Sequence, residues 1–406
     1  MIAAVFPPEP VVSANLSKNI ADELVKNGYN VTVLSPLPTR PHGFDFKNSC
    51  DNSNHGFEHI VIRSITSSGS ELIGRIKENI SFGIATSRYV TKYHHEISAI
   101  YADTWPLFAQ FFLVRVAARY KIPIILHVQD VYPDSFVYKL PKFFAGIVYH
   151  CLLPIDKYIL KYSTRIIGIS PQMIDYLSAS RNINKNKFVL IRNWHNDEMF
   201  TNQFIKQKNN KKYFRFIFVG SVSPTASVET LIHGFHIANI KDSELIIAGS
   251  GSAKDQCIAL AKSLNNPNIH FVNIQPNQVF DIQCDADVLL LPLKKGIAQT
   301  ATPSKLTAYM FSKKPIIACV ETNTDVANII KEAKCGLVIP PEESNQLSDA
   351  MCLFANYKQS ELDTMGDCAL GYAKAHLSKN RNLLLLTNEI IKLLEPNCNK
   401  LCFINM

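Results

Sequence analysis

No uninterrupted apolar stretch in these 406 residues approaches the ~20 consecutive residues a membrane-spanning helix needs. The opening MIAAVFPPEP has neither a basic lead nor a long apolar core, so it does not read as a secretory leader. The ten cysteines, spread from Cys50 to Cys402, include no CxxC pair and no regular spacing. They read as free thiols of a reducing compartment and place the protein in the cytoplasm. Charged residues make up only 19% and apolar residues 47%, with mean hydropathy near zero, which is globular and argues against a multispanning membrane protein. The net charge of +8 favours anionic partners: nucleotide diphosphates and anionic lipid surfaces both fit. Nucleic acid is set aside, because the chain carries no nucleic-acid motif and no interleaved basic and aromatic run.

What is present is a rhythm. In the first half, apolar strands are predicted at 2–6, 29–36, 59–65, 96–102, 122–130, 164–170 and 187–193, with helices at 17–27, 107–120, 141–162 and 171–178. The polar, basic TNQFIKQKNNKK at 201–212 has linker composition. The second half repeats the pattern. Strands are predicted at 214–221, 244–251, 269–274, 286–293, 315–320 and 336–340, and helices at 228–239, 253–264, 278–284, 305–311, 325–332, 344–355 and 380–394. Such alternation means βαβ units and parallel sheets, and 406 residues exceed one ordinary core. The expected fold class is α/β, two Rossmann-like doubly wound domains facing a central cleft. The first covers 1–200 and the second 213–375, with 376–406 a last helix crossing towards the first domain.

The most informative stretch starts at Asp285: DADVLLLPLKKGIAQTATPSKLTAYMFSKKPIIACV. It reads as a buried strand, a polar loop, a helix entered through Pro303, Ser304 and Lys305, and another buried strand. Free N–H groups and the positive end of a helix dipole, closed by a lysine, suit a diphosphate.

These residues, taken in order with FPPEP, DTWPLFAQ, LHVQDVYPDS, IIGISPQMIDYL, LIRNW, FRFIFVGSVSP, LIIAGSGS and CGLVIPPEE, resemble the retaining glycosyltransferases of family 4, which have the GT-B fold. The likeness covers nearly the whole chain and is nearest to the bacterial branch that builds capsules, O-antigens and exopolysaccharides. It implies transfer of a sugar from a UDP- or GDP-linked donor, held by the second domain, to a saccharide acceptor, lipid-linked in this branch, presented by the first. It implies no metal cofactor, since helix N-termini and basic side chains neutralise the leaving diphosphate.

On that resemblance, His127 and Asp130, at the end of the strand LHVQD, are the candidate catalytic pair. Asp130 would accept a hydrogen bond from the acceptor hydroxyl or stabilise an oxocarbenium-like centre; His127 would fill either role or donate to a sugar hydroxyl. The donor side would comprise Gly220, Ser221, Lys294, Lys295, Pro303, Ser304 and Lys305, and the acceptor side Asp103 and Trp105. Asn193 and Trp194 read as structural residues at a hinge, and Asp134 as a turn cap. Asp285-x-Asp287 precedes its strand and reads as helix-end solvation in place of a metal motif. GSGSAK has Lys254 where a dinucleotide fingerprint needs glycine.

Departures stand beside the likeness. The family's two donor-site glutamates fall on Thr300 and Ala308, and its arginine and lysine after the first strand of the second domain fall on Ser221 and Ala226. Two further readings follow: a nucleotide-sugar epimerase of the same fold, which would need no acceptor, or a catalytically weakened partner subunit, which would bind no nucleotide. The segment LPKFFAGIVYHCLLPIDKYILKY at 140–162, aromatic, apolar and flanked by lysines, is either a helix resting on anionic lipid or one buried against the sheet.

Overall fold

A computed structural model describes residues 1–9, 11–39, 56–66, 72–103, 107–137, 140–194, 212–275, 278–297 and 304–394. The chain divides into two compact units, residues 1–191 with 383–406, and residues 192–382. The expected linker at 201–212 lies almost wholly outside the described residues.

The first unit runs α1 (Val12–Lys26), β1 (Thr32–Ser35), β2 (Glu58–Val61), α2 (Leu72–Tyr93), β3 (Ile100–Asp103), α3 (Leu107–Tyr120), β4 (Ile124–Val128), α4 (Asp134–Val137), α5 (Lys142–Tyr162), β5 (Arg165–Gly168), α6 (Pro171–Arg181) and β6 (Phe188–Leu190). Strands β3-β4-β5-β6 form a parallel sheet, and β1 pairs parallel with β2. The strand expected at 2–6 shrinks to Ile2, which bridges Leu34 on one side and Ala102 on the other. Ala3 still donates to Leu34 O, but the chain then bends towards Pro7 and Pro8, which have no N–H for a ladder.

Helix α2 was not anticipated. Its buried face mixes Phe82 and Val90 with Glu78, Gly83, Thr86 and Ser87, and the small and polar members blur the apolar period. Gly83 lies so close to α3 that an added Cβ would sit 2.5 Å from Ala109 Cα, and buried Thr86 returns its hydroxyl to Phe82 O at 2.8 Å. Helix α5 was expected either to rest on lipid or to be buried on the sheet. Ile159 and Leu160 enter the core, whereas Phe143 (80% exposed), Phe144 and Ile147 stand in solvent. Although His150, Asp156 and Lys157 interrupt the run, its stretch Phe143–Tyr162 is long and apolar enough by length and composition to cross a membrane, and only 17% of it is buried.

The second unit runs β7 (Phe214–Val219), α7 (Val228–Ala238), β8 (Ser243–Ala248), α8 (Lys254–Ser263), β9 (Ile269–Val272), α9 (Val279–Cys284), β10 (Val288–Pro292), α10 (Ser304–Phe311), β11 (Ile316–Cys319), α11 (Asp325–Ala333), β12 (Gly336–Ile339), α12 (Ser344–Ala355) and α13 (Gln359–His376). Helix α14 (Lys379–Leu394) leads the chain back to the first unit. The sheet is parallel throughout, in the order β12-β11-β10-β7-β8-β9. Both faces are covered: Ile217, Leu289 and Leu291 pack in the layer with α10 and α11, while Phe216, Phe218 and Leu290 pack in the layer with α7 and α12. Continuous apolar runs such as FRFIFV are the sequence signature of that arrangement.

Asp285 and Asp287 have a different task from the solvation expected of them. Asp285 pairs with the Arg215 guanidinium, and Asp287 accepts the Arg215 backbone N–H at 2.8 Å, clamping the start of β7. Asp134 is likewise more than a turn cap. It and Asp156 both bind Arg181, whose side chain is fully buried, and Tyr176 donates its hydroxyl to Asp134. Burial pushes the Asp156 carboxyl up to about 6. Arg181 thus ties the segment after β4 to α5 and α6. Arg181→Met should lower the unfolding free energy by about 3–5 kcal/mol in urea melts, because it strands two carboxylates in the interior; a loss under about 1 kcal/mol would show that the network relaxes into solvent.

Candidate functional site

The second sheet changes winding direction at β7, which lies between β10 and β8, and ligands of open parallel sheets bind outside the carboxyl ends at such a point. Pairing of β7 with β10 reaches only Ile217–Leu289. The backbone of Val219, beyond that pair, is bound on this side by a side chain: Tyr309 Oη accepts its N–H at 2.8 Å and donates to its carbonyl at 3.0 Å. Tyr309, buried in α10, therefore holds the end of β7 where β10 no longer does.

Past β7 the chain needs glycine. Gly220 has φ +144°, and Gly249, past β8, has φ +150° with its Cα hydrogen facing the Gly220 carbonyl, where a Cβ would lie 2.0 Å away. Lys305, in the first turn of α10, lies over this backbone. Its Nζ is 4.4 Å from the Phe218 ring centroid, and a Cβ on Gly220 would be 2.3 Å from its Cε. Among the described residues no carboxylate lies within ion-pair distance of Lys305. Burial lowers its pKa from 10.5 to about 8, so it remains mostly charged at neutral pH. A half-buried ammonium on a ring face beside bare backbone is a receptor for an anion.

The other donor-side candidates divide. Ser221 is exposed beside Gly220. Lys294 lies in the loop after β10, but its Nζ is 3.5 Å from Glu229 and its N–H is bound to Thr225 O. Lys295 is exposed, with its N–H 3.4 Å from Glu342 Oε2. Ser304 opens α10, while Pro303 and Thr300 lie outside the described residues. Ala226 and Ala308 are buried, so neither position presents a polar group. Lys254 donates to Gly249 O at 2.8 Å and to Asn273 Oδ1, bracing the loop after β8. Tyr309 and Phe218, which position the strand end and Lys305, were not foreseen; both read in sequence as ordinary core aromatics.

In the first unit, Asp103 and His127 are register partners at the carboxyl ends of β3 and β4. Asp103 is buried, accepting from Ser17 Oγ at 3.1 Å and Gln129 Nε2 at 2.7 Å. His127 is fully buried; Nδ1 is 2.8 Å from Tyr101 Oη, and Nε2 has no hydrogen-bond partner among the described residues. Burial lowers its pKa to about 4, which keeps the imidazole neutral at pH 7. Asp130 is exposed, just past β4. The structure thus gathers Asp103, His127 and Asp130 at adjacent strand ends; Trp105 lies outside the described residues. Asn193 and Trp194, expected at a hinge, follow Arg192, the first residue of the second unit, and Trp194 is buried.

Comparison with known proteins accords with this architecture. Residues 14–198 match the family model described as Glycosyltransferase Family 4, and residues 199–364 match that described as Glycosyl transferases group 1. The probable glycosyltransferase WbjE of Pseudomonas aeruginosa is 24% identical over 260 residues, 61% of this chain and 63% of its own length, so the match spans under two thirds of that relative. Among solved structures, the sucrose-phosphate synthase of Thermosynechococcus elongatus superposes with a TM-score of 0.71 at 16% identity, over 95% of this chain and 94% of its own. HepE of Anabaena, solved in complex with UDP, superposes with a TM-score of 0.68 at 13% identity, over 97% of this chain and 98% of its own. The chain has the GT-B fold, and its two halves match glycosyltransferase family models.

Lys305 yields a prediction whose sign follows from its depressed pKa. The folded state disfavours the ammonium, so the residue costs stability below pH 8, and that cost fades between pH 8 and 10.5 as the unfolded chain also deprotonates. Lys305→Met should therefore stabilise the free protein by roughly 1–3 kcal/mol at pH 7. Urea melts at pH 7 and pH 10 should show that gain shrinking towards zero at the higher pH.

Proposed function

We propose that the protein is a retaining glycosyltransferase of bacterial surface polysaccharide synthesis. In this reading it moves a sugar from a nucleotide diphosphate sugar to a saccharide acceptor carried on a lipid. The observation that carries the reading is Lys305, a half-buried cation with no carboxylate at ion-pair distance among the described residues, laid across the Gly220 backbone at the winding switch of the sheet. HepE, of the same fold, was solved with UDP, which supports a nucleotide as the anion.

The second unit would hold the donor. Lys305 and the backbone around Gly220 and Ser221 would take up charge as the diphosphate leaves, with Lys294 or Lys295 reinforcing them. The first unit would present the acceptor, with Asp130 accepting a hydrogen bond from the attacking hydroxyl. His127, neutral and fully buried, would act through Nε2 as a hydrogen-bond partner within the sugar pocket. Ser221 and Ala226 leave few cations here, and this favours a second reading, a non-catalytic partner subunit.

Calorimetric titration with UDP and GDP separates the two. Micromolar binding of one nucleotide is expected, weakened at least about tenfold in Lys305→Ala, a loss of ~1.4 kcal/mol or more. Asp130→Ala should keep that affinity while losing transfer activity. Failure of the wild-type protein to bind either nucleotide would turn the assignment to the partner subunit.

The lipid part of the proposal rests on α5. Phe143, Phe144 and Ile147 project from it, and the exposed lysines 157 and 161 lie on the same helix. Apolar anchors with flanking cations suit the anionic inner face of the plasma membrane, at which a cytoplasmic enzyme would meet a lipid-linked acceptor. Vesicles containing anionic lipid should sediment the wild-type protein, and a Phe143→Asp, Phe144→Asp variant should stay in the supernatant. Equal behaviour of the two proteins removes α5 as the contact.

A further inference from the structure

Glu321 lies two residues past β11, on the carboxyl edge of the second sheet. Strand β10 is its neighbour there: Leu293, just past β10, donates its N–H to Cys319 O at 3.2 Å. One carboxylate oxygen of Glu321, Oε1, accepts the N–H of Gly296 in the turn after β10. The other, Oε2, is buried and has no hydrogen-bond partner among the described residues. The main-chain carbonyl of the same residue is occupied by Thr324 Oγ1 at 2.7 Å, which fixes the backbone beneath it.

A buried carboxylate oxygen without a donor forfeits its hydration with nothing in return, and native proteins carry few such atoms. Bracing the turn at Gly296 uses Oε1 and leaves Oε2 unexplained. None of the described residues supplies the missing donor, and three kinds of donor come into question. A divalent cation needs about six oxygen ligands, which a single oxygen does not supply. The Lys294 ammonium, on the neighbouring loop, is placed 3.5 Å from Glu229. A hydroxyl suits a lone acceptor in a partly buried position, and a nucleotide sugar has hydroxyls on its ribose and on its transferred sugar.

We propose that Glu321 Oε2 accepts a hydrogen bond from a sugar hydroxyl of the donor and thereby sets which donor the protein takes. This rests on the donor site proposed at Lys305 and adds to it a specificity residue past β11, two strands from β7 on the same sheet edge. A site built to bind a hydroxyl discriminates strongly against ligands that lack it, because its own acceptor is then left unpaired.

The test is calorimetry on wild-type protein and on Glu321→Gln, which is isosteric and can keep an oxygen towards Gly296. The ligands are UDP and GDP, their 2′-deoxy and 3′-deoxy forms, and UDP-glucose, UDP-galactose and GDP-mannose. If the hydroxyl is on the ribose, a deoxy nucleotide binds the wild type roughly 10–100-fold more weakly than its parent, as for a charge-assisted hydrogen bond. That gap closes in Glu321→Gln. If it is on the transferred sugar, the variant binds the bare nucleotides normally and loses the extra affinity for a nucleotide sugar. The idea is overturned if Glu321→Gln binds every ligand as the wild type does, or if the deoxy nucleotides and nucleotide sugars all bind the wild type no differently from the parent nucleotide. Wild-type protein that binds no nucleotide at all would remove the donor site itself, an outcome distinct from both. The wild-type arm needs no variant to fold.

Discussion

A β-strand covered on both faces has no place for a polar side chain along its length, and this constraint organises the whole protein. In the second unit residues 216–219 and 288–291 are buried in alternation towards two helical layers. Polar chemistry is therefore displaced to the strand ends. At one end it becomes architecture: Arg215, Glu244, Asp285 and Asp287 clamp the start of β7. At the other end it becomes the candidate site, where Gly220, Gly249 and Lys305 meet.

That carboxyl end holds polar groups in costly surroundings. Lys305 is a cation on an aromatic face with its pKa depressed, and Glu321 carries a buried carboxylate oxygen with no donor among the described residues. In the first unit His127 is neutral through burial and leaves Nε2 in the same condition. Stability alone does not account for these three groups. Elsewhere in the molecule an interior charge of comparable cost is surrounded: Arg181 meets Asp134, Asp156 and the carbonyl of Tyr132. The contrast between a paired interior charge and one at a strand end with no counter-charge among the described residues is what marks the site.

Much of the fold was legible from the chain because parallel strands announce themselves. The strands from β3 to β12 fall at or within a residue or two of apolar runs such as IPIILHVQD and ADVLLLPL. Helices α2 and α13 were missed, since small and polar residues interrupt the buried face of each, Gly83 and Thr86 in one and Gly366 and Ala369 in the other. A strand at 2–6 was expected and only Ile2 pairs, because composition does not reveal where a neighbour's ladder stops. In the site, Lys305 and Gly220 were legible as a lysine opening a helix and a glycine closing a strand. Tyr309, Phe218 and Glu321 were not, for their roles depend on which strand lies beside which.

The sequence by itself determined the α/β class, the repetition of the unit and the ends of strands at which chemistry collects, because burial on two faces is written directly into local hydrophobicity. It also determined the family likeness, which lies in the order of short motifs. Only the tertiary structure decided that β7 lies between β10 and β8, that Lys305 packs on Phe218, that Glu321 reaches Gly296, and that the front of α5 stands exposed. Each of these joins residues far apart in the chain or depends on what fails to cover a surface, and a local pattern contains neither.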